Sequence, residues 1–219
     1  MTDRVDSDIE IPQTVFIVDD DPAICESLCD LIESAGLPTR KFSSAEEFLE
    51  ICTPDLAGCL VLDVRLPGMN GMELQNKLVR SGLATPIIIM TAHGDIPMVR
   101  NAMKAGAVEF LTKPFQDEEL LSAIEHSFAL DRSQRSARRL ERSIQKRWST
   151  LSERERQVLE YVTAGMLNKQ IADRLNLSLI TVKLYRRQVM DKMEADSLAE
   201  LVKMWEKIKS PENSRLSAP

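Results

Sequence analysis

Five polar positions in the first half of this chain sit at the ends of short apolar runs. Asp19 and Asp20 follow Thr14-Val15-Phe16-Ile17-Val18, Asp63 follows Cys59-Leu60-Val61-Leu62, Thr91 follows Pro86-Ile87-Ile88-Ile89-Met90, and Lys113 stands just beyond Val108-Glu109-Phe110-Leu111. Three carboxylates brought to one spot repel each other unless a cation sits among them. A hard divalent ion that takes oxygen ligands and keeps water, Mg²⁺ above all, suits them. A lysine and a threonine are not needed to hold a metal. They are what an added phosphoryl group would want, a point charge and a hydroxyl donor. The set therefore reads as phosphoryl transfer onto a carboxylate. Asp63 is the nucleophile, Asp19 and Asp20 hold Mg²⁺ beside it, and Thr91 and Lys113 bind the phosphoryl oxygens. The alternative is a scatter of strand-end polar residues with no shared site.

That chemistry requires the apolar runs to lie side by side as strands. Between them the text is helical. Asp21 followed by Pro22 is a helix start, with Ile24, Leu28, Leu31 and Ile32 at helical spacing and a stop at Gly36. Thr39 to Phe42 is a strand, and Ser44 caps a short helix through Phe48 and Ile51. A loop with Pro67, Gly68 and Gly71 leads to a helix ending near Ser81, and another helix ends near Ala105. Alternating strands and helices predict an α/β fold, a doubly wound five-stranded parallel sheet of flavodoxin-like type, with its ligand site at the carboxyl ends of the strands.

The second half has a different chemistry. Residues 1–129 carry 9 Lys+Arg against 22 Asp+Glu, whereas residues 130–219 carry 19 against 12. An acidic front and a basic back fit a cation or basic protein in one case and a polyanion in the other, or charge balance between the halves. From Ser152-Glu153-Arg154-Glu155, a capping box, the text is all helical. A helix stops at Gly165, a short one spans about Asn168 to Leu175, Asn176-Leu177-Ser178 turns, and further helices span about Leu179–Met193 and Ser197–Ile208. Ile171, Ala172, Leu175, Val182, Val189 and Met193 point inward by their spacing. Lys183, Tyr185, Arg186, Arg187 and Lys192 form the other face of the third helix. A helix-turn-helix unit with such a face fits a DNA major groove; on shape alone a plain helical bundle with a basic surface is the competing reading. Between the halves, Glu118 to about Trp148 carries no breaker. Leu130, Ala137, Ile144 and Leu151 recur every seven residues with Leu140 offset, which fits a coiled-coil seam or an amphipathic linker that packs on its own domains.

Beyond this reading, the residues resemble a known family. Val18-Asp19-Asp20-Asp21-Pro22, the stretch Val61 to Gly71, Met90-Thr91-Ala92-His93-Gly94-Asp95 and Phe110-Leu111-Thr112-Lys113-Pro114-Phe115 look like response-regulator receiver motifs in order, over about residues 13–127. The stretches Leu151–Glu160, Asn168–Leu175 and Ser178–Met193 look like a LuxR-type DNA-binding domain, over about residues 150–209. Together they are similar to the NarL/FixJ family of two-component regulators, nearest its FixJ-like members. The resemblance implies a sensor histidine kinase as phosphoryl donor, the backbone carbonyl of Arg65 in the metal shell, a cis peptide at Lys113-Pro114, and Thr91 and Phe110 as a switch pair. Many receivers have tyrosine at the second switch position. Phenylalanine has no hydroxyl, which leaves ring movement by packing. Arg65 and His93 stand where receivers tune the lifetime of the phosphoryl group; His93 also fits a plain loop residue. In the second domain the resemblance implies that Lys183, Leu184 and Arg187 face bases, and that Thr181, Asn168, Lys169 and Lys192 meet phosphates of double-stranded promoter DNA.

The expected organisation is a disordered tail over 1–11, a receiver over 12–129, a helical linker over 130–150, a helix-turn-helix domain over 151–210 and a second tail over 211–219. The chain is expected to be a cytoplasmic regulator that forms a homodimer on phosphorylation. It is not an enzyme beyond slow phosphorylation and dephosphorylation of its own Asp63. No run of the 219 residues is apolar enough to span a bilayer, and no nucleotide loop of the G-x-x-x-x-G-K type occurs. Cys25, Cys29, Cys52 and Cys59 form no C-x-x-C pair and read as reduced thiols. The competing function is a phosphorylation-gated module whose helical half binds a protein such as a subunit of RNA polymerase.

Overall fold

The computed structural model describes residues 12–92 and 94–209; the two expected tails and His93 lie outside the described residues. The chain divides into two compact units between Arg135 and Ser136.

In the first unit, β1 (Thr14–Val18), β2 (Thr39–Phe42), β3 (Gly58–Asp63), β4 (Ile87–Thr91) and β5 (Glu109–Thr112) form one parallel sheet in the order β2-β1-β3-β4-β5. The crossovers are α1 (Pro22–Ser34), α2 (Ala45–Ile51), α3 (Gly71–Arg80) and α4 (Ile96–Lys104), and α5 (Asp117–Ser149) follows β5. Side-chain caps start four of them: Asp21 for α1, Ser44 for α2, an Asn70–Glu73 capping box for α3 and Asp95 for α4. Every residue of β3 and β4 is buried, as befits strands covered on both faces. Alternate side chains feed two cores. Phe16, Phe42, Phe48, Leu60, Leu62 and Ile89 fill one face, with the Phe42 and Phe48 rings edge to face at 5.5 Å. Ile17, Ile32, Val61, Ile88, Leu120 and Ile124 fill the other. The doubly wound sheet is therefore as expected, and each strand lies within a residue or two of its predicted run.

One anchor has no local signature in the sequence. Asp131, on α5, is buried, and its Oδ2 accepts hydrogen bonds from Gln13 Nε2 (2.7 Å), the Gly58 N–H (3.1 Å) and Arg135 Nε (3.0 Å). It thereby ties α5 to the starts of β1 and β3, at the end of the sheet opposite the strand carboxyl ends. Gly58 is there by necessity. Its φ is +135°, and a Cβ would lie 1.8 Å from the Thr14 carbonyl oxygen.

The linker is helical as expected, but its seven-residue seam is not one stripe. Ile144 and Leu151 are buried in the core of the second unit, Ala137 is exposed, and Leu140 is 46% exposed. The apolar spacing is used for packing within the units. In the second unit, α6 (Glu153–Thr163), α7 (Asn168–Leu175), α8 (Leu179–Met193) and α9 (Leu198–Lys209) enclose Val158, Val162, Ile171, Val182, Val189 and Leu201, and Trp148 lies 5.1 Å from Trp205. The α7–α8 turn places Asn176 in the left-handed region and caps α8 with Ser178.

Candidate functional site

The strand order reverses between β1 and β3, so a crevice opens at their carboxyl ends. Asp19 leaves β1 and Asp63 ends β3 there, both buried. The β3–β4 register sets Asp63 beside Met90, and β4–β5 pairing sets Thr91 beside Thr112, one residue before Lys113. Lys113 Nζ donates to Asp19 Oδ2 at 2.7 Å and to Asp63 Oδ1 at 2.8 Å. The Asp21 N–H holds Asp19 Oδ1 at 2.9 Å, and the Arg65 N–H holds Asp63 Oδ2. Burial works against the ammonium charge of Lys113, but the hydrogen bonds and charges of the two aspartates outweigh it and raise its pKa. Gly71 closes the floor of the site: a Cβ there would lie 2.2 Å from the Asp63 carbonyl oxygen. Thr91 is buried at the end of the adjacent strand, and the Lys113-Pro114 peptide is cis as the resemblance implied. The Phe110 ring is half-buried against Gly94, where a methyl group would meet its Cε1 at 2.8 Å.

The expected convergence of three carboxylates is realised for two. Asp20 is exposed, and among the described residues no three His, Cys, Asp or Glu side chains are grouped as a metal site. The reason is electrostatic. Two buried carboxylates at close range need a positive charge, which the Lys113 ammonium supplies, and a third is cheaper in water. The reading of His93 as a tuning residue falls outside the described residues.

In the second unit the face of α8 is less uniformly cationic than its sequence suggests. Lys183, Leu184 and Arg187 are exposed as expected, and so is Lys169 on α7. Arg186, expected outward, is half-buried and donates to Asn168 Oδ1 at 3.1 Å, joining α8 to α7; Tyr185 packs against the core. Thr181 is half-buried, its hydroxyl 2.8 Å from that of Ser178. Lys192 Nζ lies 2.7 Å from Glu155 Oε2, in an ion pair whose carboxylate also accepts the Ser152 N–H at 2.7 Å. Burial raises the Glu155 pKa, but the Lys192 hydrogen bond, the Ser152 contacts and the Lys192 charge outweigh it and leave the net shift downward. Lys192 is thus a strut between α8 and the start of α6, a role its isolated position in a basic stretch could not reveal. Ile180 and Asp191 were passed over, although both fall opposite the core positions Val182, Val189 and Met193 by helical spacing.

Comparison with known proteins bears on both sites. Residues 15–125 match the response regulator receiver domain family, and residues 149–205 match the family of bacterial regulatory proteins of the luxR type. Nodulation protein W of Bradyrhizobium diazoefficiens is 49% identical over 192 residues, which is 88% of this chain and 85% of that protein. The transcriptional regulatory protein FixJ of Azorhizobium caulinodans is 45% identical over 190 residues, covering 87% of this chain and 90% of that one. Among solved structures, the response regulator StyR, known at low resolution, superposes with a TM-score of 0.82 at 47% identity, covering 90% of this chain and 100% of StyR.

Proposed function

From a chain that belongs to the response regulators joining a receiver to a LuxR-type DNA-binding domain, we propose that Asp63 accepts a phosphoryl group from a sensor histidine kinase and that this controls promoter binding by α8. The observation that carries the reading is the ammonium of Lys113 shared between the buried Asp19 and Asp63 at the β1–β3 switch point. Residues 12–129 are the receiver, 130–150 the linker and 151–210 the DNA-binding domain.

In the transfer step an Asp63 carboxylate oxygen attacks phosphorus, a new O–P bond forms, and the P–N bond of the donor phosphohistidine breaks with its electron pair returning to the imidazole. Lys113 then exchanges Asp63 Oδ1 for a phosphoryl oxygen, and the Thr91 hydroxyl donates to another. The donor set fits Mg²⁺. Asp19, Asp20, Asp63 and the Arg65 carbonyl are hard oxygen ligands, two of the carboxylates already meet at one cation, and Asp20 is exposed beside them. When bound, the ion neutralises charge on the acceptor and phosphoryl oxygens. Hydrolysis by water reverses the state, so the only chemistry is on the protein itself.

Thr91 and Phe110 connect this site to the surface of α4, β5 and α5. Phosphoryl binding draws Thr91 inward, biases the Phe110 ring and favours a homodimer through that surface. The dimer binds double-stranded promoter DNA with Lys183, Leu184 and Arg187 at base edges and Thr181, Asn168, Lys169 and Lys192 near phosphates; Lys192 reaches a phosphate by leaving Glu155. Contact with RNA polymerase follows at the promoter. Among the described residues no helix is long and apolar enough to cross a membrane, and a chain that meets DNA and its kinase works in the cytoplasm.

The test is intact mass after incubation with acetyl phosphate and Mg²⁺. The native chain gains one phosphoryl group and Asp63→Asn gains none; normal labelling of the variant overturns the assignment. Sedimentation of the two samples then reads the dimer, and equal monomer fractions at all concentrations would refute it.

A further inference from the structure

The side of α8 that faces away from its core is not a row of cations. With Val182, Val189 and Met193 buried, the helical period sets Ile180, Leu184, Arg187 and Asp191 in one outward stripe. Ile180 is 81% exposed and Leu184 54%. They stand one turn apart at the N-terminal end of the stripe. Arg187 and Asp191 follow, exposed, with Nε and Oδ2 3.7 Å apart. Single exposed aliphatic residues need no explanation. A pair in register, on the outer face of the second helix of a helix-turn-helix and flanked by the exposed cations Lys183 and Arg187, does.

We propose that Ile180 and Leu184 are specificity residues that read the C5-methyl groups of thymines, while Arg187 reads a guanine beyond them. The inference rests on the DNA-binding reading above and names what that surface selects. In the major groove only thymine presents a methyl group; the other bases present donors and acceptors at their edges. An aliphatic side chain has nothing to offer those groups. Pressed against cytosine or adenine, it strips water from a polar edge without replacing the hydrogen bond. Against thymine it removes apolar surface from water on both partners. Charge favours DNA over an apolar protein groove as the occupant, because residues 130–219 hold 19 Lys+Arg against 12 Asp+Glu and Lys183 adjoins the pair on the same helix. Asp191 does not spoil this, since it lies one turn past Arg187 and faces its Nε. The two terminal guanidinium nitrogens are left for guanine O6 and N7.

The experiment uses the full chain and a duplex that it selects itself from a random-sequence library. Each thymine of the selected duplex is then replaced singly by deoxyuridine, which removes the methyl group and nothing else. The expected result is a loss of about fourfold in affinity at one or two thymines per half-site, matching about 0.8 kcal/mol for a buried methyl-sized group. Ile180→Ala and Leu184→Ala each abolish the loss at one position. Both sites are exposed and helical, so alanine leaves the fold intact. Arg187→Ala keeps the thymine dependence and loses preference at a guanine. A selected duplex that binds tightly but is indifferent to every uracil overturns the inference and leaves DNA binding standing. Failure of any duplex to be enriched overturns the DNA reading, and the inference with it.

Discussion

Replacing Asp131 by alanine should unfold the first unit at a markedly lower temperature while leaving the second unit where it is. Three donors converge on one buried oxygen of this residue, from Gln13, Gly58 and Arg135. Their losses differ. Gln13 Nε2 keeps a second acceptor, the Phe128 carbonyl at 2.9 Å, and Arg135 is half-buried and can turn to water. The Gly58 N–H is buried, and its side-chain acceptor is Asp131 Oδ2. An orphaned buried N–H costs about 1–3 kcal/mol, and a hydrogen bond to a charged acceptor contributes about 1.5–3 kcal/mol. Together the change amounts to about 3–5 kcal/mol, the usual loss when one partner of a buried ion pair is removed. Asp131→Asn keeps an oxygen for Gly58 and loses only the charge, about 1–2 kcal/mol. For a domain of this size each kcal/mol moves Tm by about 4 °C, so the alanine variant should melt about 12–20 °C lower. The assay separates the units, because both tryptophans, Trp148 and Trp205, lie in the second core. Tryptophan fluorescence reads the second unit alone, and far-UV circular dichroism reads the helices of both, so a circular-dichroism transition with no fluorescence counterpart is that of the first unit. Amide exchange at Gly58 reads the lost acceptor directly. A circular-dichroism transition within about 4 °C of the native one, or unchanged protection at Gly58, would refute the reasoning.

Three further outcomes are expected. Glu155 has a lowered pKa in the folded state, so the stability it contributes is full above the ordinary glutamate value of about 4.3 and is lost as pH falls through the lower folded value; the fluorescence-detected Tm should drop there, and Lys192→Met should flatten the drop, by about 1 kcal/mol since the Lys192 side chain is 40% exposed and screened. A fall of equal steepness in that variant would contradict the assignment. Gly71→Ala drives a methyl group into the Asp63 carbonyl, and should slow acetyl phosphate labelling at least tenfold in a chain whose circular dichroism is still native; labelling at the native rate would show that the α3 start gives way freely. Burial, with the Asp131 carboxylate adding to it, pushes the Cys59 thiol far up, so iodoacetamide at pH 8 should reach Cys59 only after denaturation, and peptide mapping that finds it alkylated in the native chain would contradict this.

The strands, the caps at Asp21, Ser44 and Ser152 and the positions of Asp19, Asp63, Thr91 and Lys113 at strand ends were legible because each depends on near neighbours: a short apolar run, a Ser or Asp before a helix, a polar residue where the run stops. The parallel order followed from the alternation of strand and helix, and the acidic and basic halves followed from counting charge. What the sequence could not determine was which distant groups share an atom. Asp131 meets Gln13 and Gly58 across 118 and 73 positions, and Lys192 meets Glu155 across 37. Nothing in the local pattern of either stretch distinguishes these charged residues from solvated ones. The same limit separated Asp20 from Asp19, adjacent in sequence and alike in chemistry. Only Asp19 is buried and meets Lys113; Asp20 stays in water. That limit also left Arg186 and Arg187, equal in the sequence, with different tasks, because a helix rotates successive side chains by about 100° and puts one against α7 and the other in water. Local periodicity is set by the backbone's own geometry; the choice of partners is set by register and packing between segments, and those exist only once the chain has folded.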